Sequence, residues 1–263
     1  MPDGLVPFSD VSIYAIVGIV VVYFLSYFIR GTLGFGSAMP AVLGGAWVLP
    51  PHDAVLLALL TAFFAQVQLL PQGVREANWR VAKPMIAGMV ISVVIGVWIF
   101  TKLEAAWLTV VLGACLSLAV LVDIGGLAER ASKHMRLDRA SIAFGLSAAA
   151  GLLAAVAGAG SNYFLSFYLR WATPDRFAFR ATNIILSGAM VLWRFVVTFV
   201  LGLLTIKLAI EAALLMPAVY AGGWAGRHFA MRVPTKQFFG VFRVLLLAAS
   251  VALIWKGIAA LPR

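Results

Sequence analysis

Acid is scarce in this sequence. Its 263 residues hold ten Asp and Glu against twenty Lys and Arg, and the four charged types together make up only 11%. A soluble domain carries about 25% charged residues, so a water-solvated surface of ordinary size is excluded. The single cysteine, Cys115, excludes an internal disulfide and a cysteine metal cluster within one chain. His52, His134 and His228 fall at or near loops, which leaves neither a histidine metal site nor a buried histidine relay. The N-terminal MPDGLVPFSD has Asp3 and Asp10 but no Lys or Arg. It lacks the basic start of a cleavable signal peptide, and nothing in it holds that end in the cytoplasm.

What is abundant is apolar: 63% of residues are hydrophobic and the mean hydropathy is +1.02. Eight apolar segments begin near Val11, Asp53, Pro84, Ala105, Ser141, Phe177, Ile206 and Gln237. In lipid every backbone polar group must be satisfied within the segment, so all eight are expected to be helices. The fold class is an all-α polytopic membrane protein with the lipid bilayer as its solvent and no room for a separate soluble domain. The net charge of +10 resides mainly in short loops, a signature of membrane orientation and not of nucleic-acid binding.

Two of these segments are interrupted by the same pattern. LGFGSAMPAVLGG starts at residue 33 and VAGAGSNYFLSF at residue 156. Gly34, Gly36, Ser37 and Pro50 recur as Gly158, Gly160, Ser161 and Pro174, each offset by 124, close to half the chain. The arms beyond the motifs, Ala38 to Leu49 and Asn162 to Trp171, rise about 18 Å and about 15 Å as helices, too short for a core of about 30 Å. The expected organisation is two copies of one unit within a single membrane domain over 1–263: an N-terminal repeat 1–124, a basic cytoplasmic linker 125–140 and a C-terminal repeat 141–263. Each unit is a re-entrant or broken helix hairpin plus three transmembrane helices. Such a unit crosses an odd number of times, so the second copy must be inverted. With hairpins, thirteen basic residues fall on one face and four on the other; with eight simple crossings the last two basic clusters change sides. The positive-inside rule favours hairpins, with both termini periplasmic or extracellular and the chain multi-pass in the cell (inner) membrane.

A helix start exposes unpaired N–H groups and about half a positive charge. Two such starts meeting near the midplane from opposite sides would favour an anion, and glycines let the backbone approach it closely. The candidate substrate-binding residues are therefore Gly34, Gly36, Ser37, Gly158, Gly160, Ser161 and Asn162, the last with an amide suited to oxygen ligands. The same glycines also suit close helix packing.

The duplicated glycine-rich segments, each entering a short arm and a proline-containing loop, resemble the TauE/SafE family. GFGSAMP keeps that family's Gly34, Gly36 and Pro40, with Ser37 and Ala38 where the family often has glycine, and GAGSNYF has Ser161 and Asn162 there. The resemblance implies export of a small anionic substrate, sulfite or an organosulfonate, with no cofactor.

Arg194 lies about 20 Å into its segment from Ala181. A charge there costs at least about 2.5–3.5 kcal/mol, and no Asp or Glu occupies a comparable depth as its partner. An anionic substrate would supply the counter-charge, and a guanidinium can grip two oxygens of a sulfonate. Carbonyls freed at the hairpin breaks are the structural alternative. Arg30 is a second site candidate, whereas Arg243, near a helix end, can snorkel. Thr182, Asn183, Ser187 and one of Gln66 and Gln68 are cavity-lining candidates, with Asn183 assigned to the site. The functional expectation is a secondary transporter, an exporter with alternating access. A channel-like facilitator, an uptake permease and, further off, an intramembrane serine enzyme are the alternatives. A serine nucleophile would need a base within reach, and the histidines are in the wrong places. A homo-oligomer is compatible with the sequence.

Overall fold

The computed structural model describes residues 7–8, 11–33, 36–67, 70–124, 140–159, 165, 168–169, 171–173, 175–229 and 235–261. Gly34, Gly160, Ser161, Asn162, Gln68 and positions 125–139 of the expected linker lie outside the described residues, as does the Arg243 side chain. Among the described residues there are ten α-helices and no strand. They are α1 (Ile13–Leu33), α2 (Ala38–Val48), α3 (Pro51–Val67), α4 (Leu70–Glu76), α5 (Trp79–Lys102), α6 (Ala105–Ile124), α7 (Ala140–Ala157), α8 (Arg176–Val200), α9 (Ile206–Phe229) and α10 (Thr235–Ala259). Five of them, α1, α5, α6, α8 and α9, are long and apolar enough to cross a bilayer.

The surface is apolar and part of the interior is polar. Tyr14, Val17 and Leu25 on α1, Ile91, Ile95 and Trp98 on α5 and Leu245 and Trp255 on α10 are exposed, while Ser26, Thr61, Gln66, Asn183, Arg194 and Glu211 are buried. Water would drive such a surface to associate; hydrocarbon solvates it. The molecule is a multi-pass membrane protein.

Helix starts follow local chemistry. α5 begins at Trp79, five residues before the expected Pro84, because the Asn78 side chain accepts from the Arg80 N–H at 3.2 Å and caps the helix there. Pro84 then lies inside α5, where its missing N–H costs one hydrogen bond. α8 starts on the Asp175 carboxylate, which accepts from the Ala178 N–H at 2.8 Å.

Three helix pairs make the broadest contacts: α1 on α9, α5 on α7 and α6 on α10. The first two run parallel at close approach. A Cβ at Gly222 would collide with the Phe24 carbonyl and one at Gly226 with the Phe28 carbonyl; one at Gly88 would collide with the Phe144 carbonyl and one at Gly151 with the Ser92 hydroxyl. In lipid such small residues allow the backbone approach that gives helices their van der Waals attraction. α3 lies against α8 and α9, and α8 also against α5 and α4.

Side-chain contacts define two ends. At one, Gln66 meets Ile184, Asn78 meets Thr182, and Arg30, Arg180 and Arg227 share a cleft. At the other, His52 lies against Phe100, Asp53 faces Lys207, and Lys256 donates to the Ala46 and Trp47 carbonyls at 3.0 and 3.1 Å. These are the arginine end and the lysine end. The Phe8 N–H, just before α1, donates to Glu211, one turn from Lys207. Trp47, at the end of α2, sits under Lys256.

Candidate functional site

Because α1 and α9 run parallel, the basic residues in their last turns, Arg30 and Arg227, arrive at the same end, and α8 starts there with Arg180. The three line an open cleft, together with Tyr27, Gly31, Ala65, Ile184, Val219, Tyr220 and Gly223. None of these described lining residues is acidic. Arg180 and Arg227 are exposed at the mouth, and Arg30 is half-buried. Three like charges beside apolar walls raise the local potential and attract an anion.

Arg30 is held in place. One of its guanidinium nitrogens donates to the side-chain carbonyl of Gln66, whose amide nitrogen donates to the Ile184 carbonyl at 2.9 Å. Gln66 is 2% exposed and its two ends are thereby assigned. The Arg30 guanidinium also lies 5.8 Å from the centre of the Tyr27 ring. The Tyr27 hydroxyl faces Arg30, Thr61 and Ser37, so the start of α2 is brought to Arg30 through this phenol. Gly36, with φ of 95°, makes the turn between α1 and α2, a conformation that glycine adopts without strain. Ser37 itself has helical dihedrals and its hydroxyl makes no capping bond to α2.

The second motif contributes Gly158 to the described residues. Its φ is 72° and it packs against Val42 of α2 and Val55 of α3. Thr61, which faces Tyr27, and Val55, which touches Gly158, are six residues apart on α3, about 9 Å of helix rise. Asn183 is buried with its side-chain oxygen unpartnered, and the neighbouring Thr182 hydroxyl accepts from the Asn78 N–H at 2.9 Å.

Arg194 is elsewhere. It is 3% exposed, with Nε and Nη2 lacking any hydrogen-bond partner. Its guanidinium lies 5.9 Å from the centre of the Phe100 ring, and the Phe100 carbonyl is 3.3 Å from His52. Arg194 therefore belongs to the lysine-end half of the bundle and does not join the cleft. Phe195, next in sequence, stacks on Phe63 of α3 at 4.1 Å.

Tyr27, Arg180 and Arg227 were not singled out from sequence as site residues. Tyr27 is three residues before Arg30 and hence on its helix face, which is a readable signal. Arg180 and Arg227 read as orientation charges, and only the packing of α8 and α9 on α3, with α1 on α9, brings them to the mouth of one cleft. Among the described residues no group of His, Cys, Asp and Glu could hold a metal ion.

Residues 19–253 match the model of one protein family, described as sulfite exporter TauE/SafE. The chain belongs to that family. The match includes both glycine-rich segments and all ten helices apart from the first turns of α1 and the last of α10. No curated protein and no solved structure matches the chain. Membership of the TauE/SafE family makes this a membrane transporter, in agreement with its multi-pass helical architecture.

Proposed function

We propose that this TauE/SafE protein is a secondary transporter that exports sulfite or small organosulfonates from the cytoplasm by alternating access. The observation that carries the reading is the cleft with Arg30, Arg180 and Arg227 and no acidic residue among its described lining. A guanidinium presents paired N–H groups that fit two oxygens of a sulfite or sulfonate. The anion enters at the arginine end, meets Arg30 and Tyr27, and passes the glycine turns at Gly36 and Gly158. It then reaches Arg194, whose unpartnered nitrogens it would satisfy, with Asn183 beside the path.

In this scheme the arginine end is cytoplasmic, in accord with the positive-inside rule, the membrane is the inner one, and both termini are outside. The two units form inverted repeats. Packing supports this: exchanging α1 with α7, α3 with α8, α5 with α9 and α6 with α10 turns the α1–α9 contact into α7–α5, leaves α6–α10 unchanged and turns α3–α9 into α8–α5. The α1–α9 pair runs toward the arginine end and the α5–α7 pair away from it, as inversion requires. The contacts of Phe8 with Glu211 and of Trp47 with Lys256 support a hairpin for α1 and α2, whose outer ends both lie at the lysine end.

Energetics suit export. A membrane potential of about 100 mV, negative inside, favours outward movement of one negative charge by about 2.3 kcal/mol. The test is flux of radiolabelled sulfite, methanesulfonate and sulfoacetate from proteoliposomes under an imposed potential. Efflux above protein-free liposomes for at least one of them is expected; no flux for any would remove the reading.

A further inference from the structure

The transport reading leaves one buried donor unused. Tyr23 on α1 is 0% exposed, and its hydroxyl has no hydrogen-bond partner. Sealing an O–H away from water without an acceptor is costly, and phenylalanine would fill the same space without that cost. The hydroxyl faces Thr61 on α3, and so does that of Tyr27, one turn closer to the arginine end. Thr61 gives its own proton to the Leu57 or the Ala58 carbonyl, each at 3.1 Å, so toward the phenols it can only accept.

Helix register puts these groups at one level. α1 and α3 both run toward the arginine end, where Arg30 bonds Gln66. Tyr23 lies seven residues before Arg30 and Thr61 five before Gln66, about 10 Å and about 8 Å of helix rise. α2 returns along α1, with Gly44 packed on Val22 and Ser37 facing Tyr27. Tyr23, Tyr27, Ser37 and Thr61 are all buried. Glu211 is remote from them. It lies eleven residues before Gly222, which packs on Phe24, about 16 Å along the parallel α1–α9 pair. The cluster therefore holds O–H donors in excess, one of them wholly unsatisfied, and carries no charge of its own.

We infer that Tyr23, Tyr27 and Ser37 form an inner subsite for the head of a small oxyanion, one to two helix turns beyond Arg30, in which the Tyr23 hydroxyl donates to an oxygen of the anion. This deepens the transport reading and rests on it for the identity of the anion. Enclosure admits only the oxygen-bearing head; the organic body of a sulfonate stays behind it in the cleft, beside Ala65, Val219 and Tyr220. The subsite binds through neutral O–H groups and not through a cation. Passage needs binding strong enough to admit an ion and weak enough to release it. Arg30 captures the anion, and the phenols pass it inward.

Tyr23→Phe removes one oxygen and nothing else, and it tests the subsite in the full-length protein by three measurements. Without anion, its melting temperature should equal or exceed that of wild type, because no bond is lost. A clear fall would show the hydroxyl already paired inside the protein and overturn the proposal. Next, sulfite is added to solubilised protein and infrared difference spectra are recorded in the phenol C–O region. Wild type should show a shifted tyrosine band that Tyr23→Phe lacks; no shift, or the same shift in both, would overturn the subsite. Finally, efflux of radiolabelled sulfite from proteoliposomes should show kcat about tenfold lower in Tyr23→Phe and KM within about twofold of wild type, the loss of one hydrogen bond to a charged group made beyond the capture step. Unchanged efflux in Tyr23→Phe also overturns it. Absence of efflux in wild type, with the tyrosine band still shifting, would instead count against transport and leave the subsite standing.

Discussion

Arg30 and Arg194 both interrupt apolar helices, one in the last turn of α1 and one deep in α8, and the protein accommodates them in opposite ways. Arg30 is half-buried, bonded to Gln66, beside Tyr27 and open to a cleft shared with two more arginines. Arg194 is fully enclosed, has two nitrogens without partners and rests against an aromatic ring. A satisfied guanidinium can bind an anion without giving up its support, so Arg30 is suited to capture. An unsatisfied one gains most when an anion arrives, so in the proposed transport scheme Arg194 is a transient station beyond the cleft. Identical side chains thus differ in how they are held because their neighbours differ.

Breaking the contrast at Arg30 should have the largest effect. Arg30→Ala should lower sulfite or sulfonate flux in proteoliposomes by about 10–100-fold, the worth of one or two hydrogen bonds to a charged group, with Arg30→Lys recovering part of it. Wild-type flux in Arg30→Ala would take the cleft out of the path. Next, Arg194→Met should raise thermal stability, by up to about 1–4 kcal/mol where an unpaired buried charge is replaced by a packed apolar chain. It should also abolish flux. A destabilised, fully active Arg194→Met would show that the arginine is structural. Gln66→Leu removes the bonds that Gln66 makes to Arg30 and to the Ile184 carbonyl and should cost about 1–3 kcal/mol of stability, read as a lower melting temperature, with weaker protection by sulfite. The smallest effect belongs to the mouth: Arg227→Gln should raise KM by about 2–5-fold and leave kcat unchanged, as loss of an exposed attractive charge does. A fall in kcat would move Arg227 into the reaction path proper.

Much of this architecture was legible in the chain because lipid imposes strict rules. The second arm was expected from Ala38, and α2 starts there; the glycine and serine before it announced the turn, since only glycine takes a φ of 95° freely. The eight apolar segments each contain a helix, although α5 starts at Trp79 because the Asn78 cap acts before Pro84 is reached. Less of the site was legible. Gln66 and Asn183 were found by their polarity, yet which of two nearby glutamines turns inward depends on the packing of α3. Glu211, six residues into its segment, was not singled out, and its burial comes from Phe8 and α1, far away in sequence.

Composition and spacing by themselves determined that the chain lives in a bilayer, that it is helical, and where glycine turns and charge clusters fall. These follow from the cost of exposing backbone amides and charges to hydrocarbon, a cost each segment meets locally. Tertiary structure alone decided that Arg30, Arg180 and Arg227 share one cleft, that Arg194 stands apart from it, and that Glu211 is sealed behind Phe8. The side of a helix that faces a neighbour is set by which helices pack together, and that depends on residues far away in the chain.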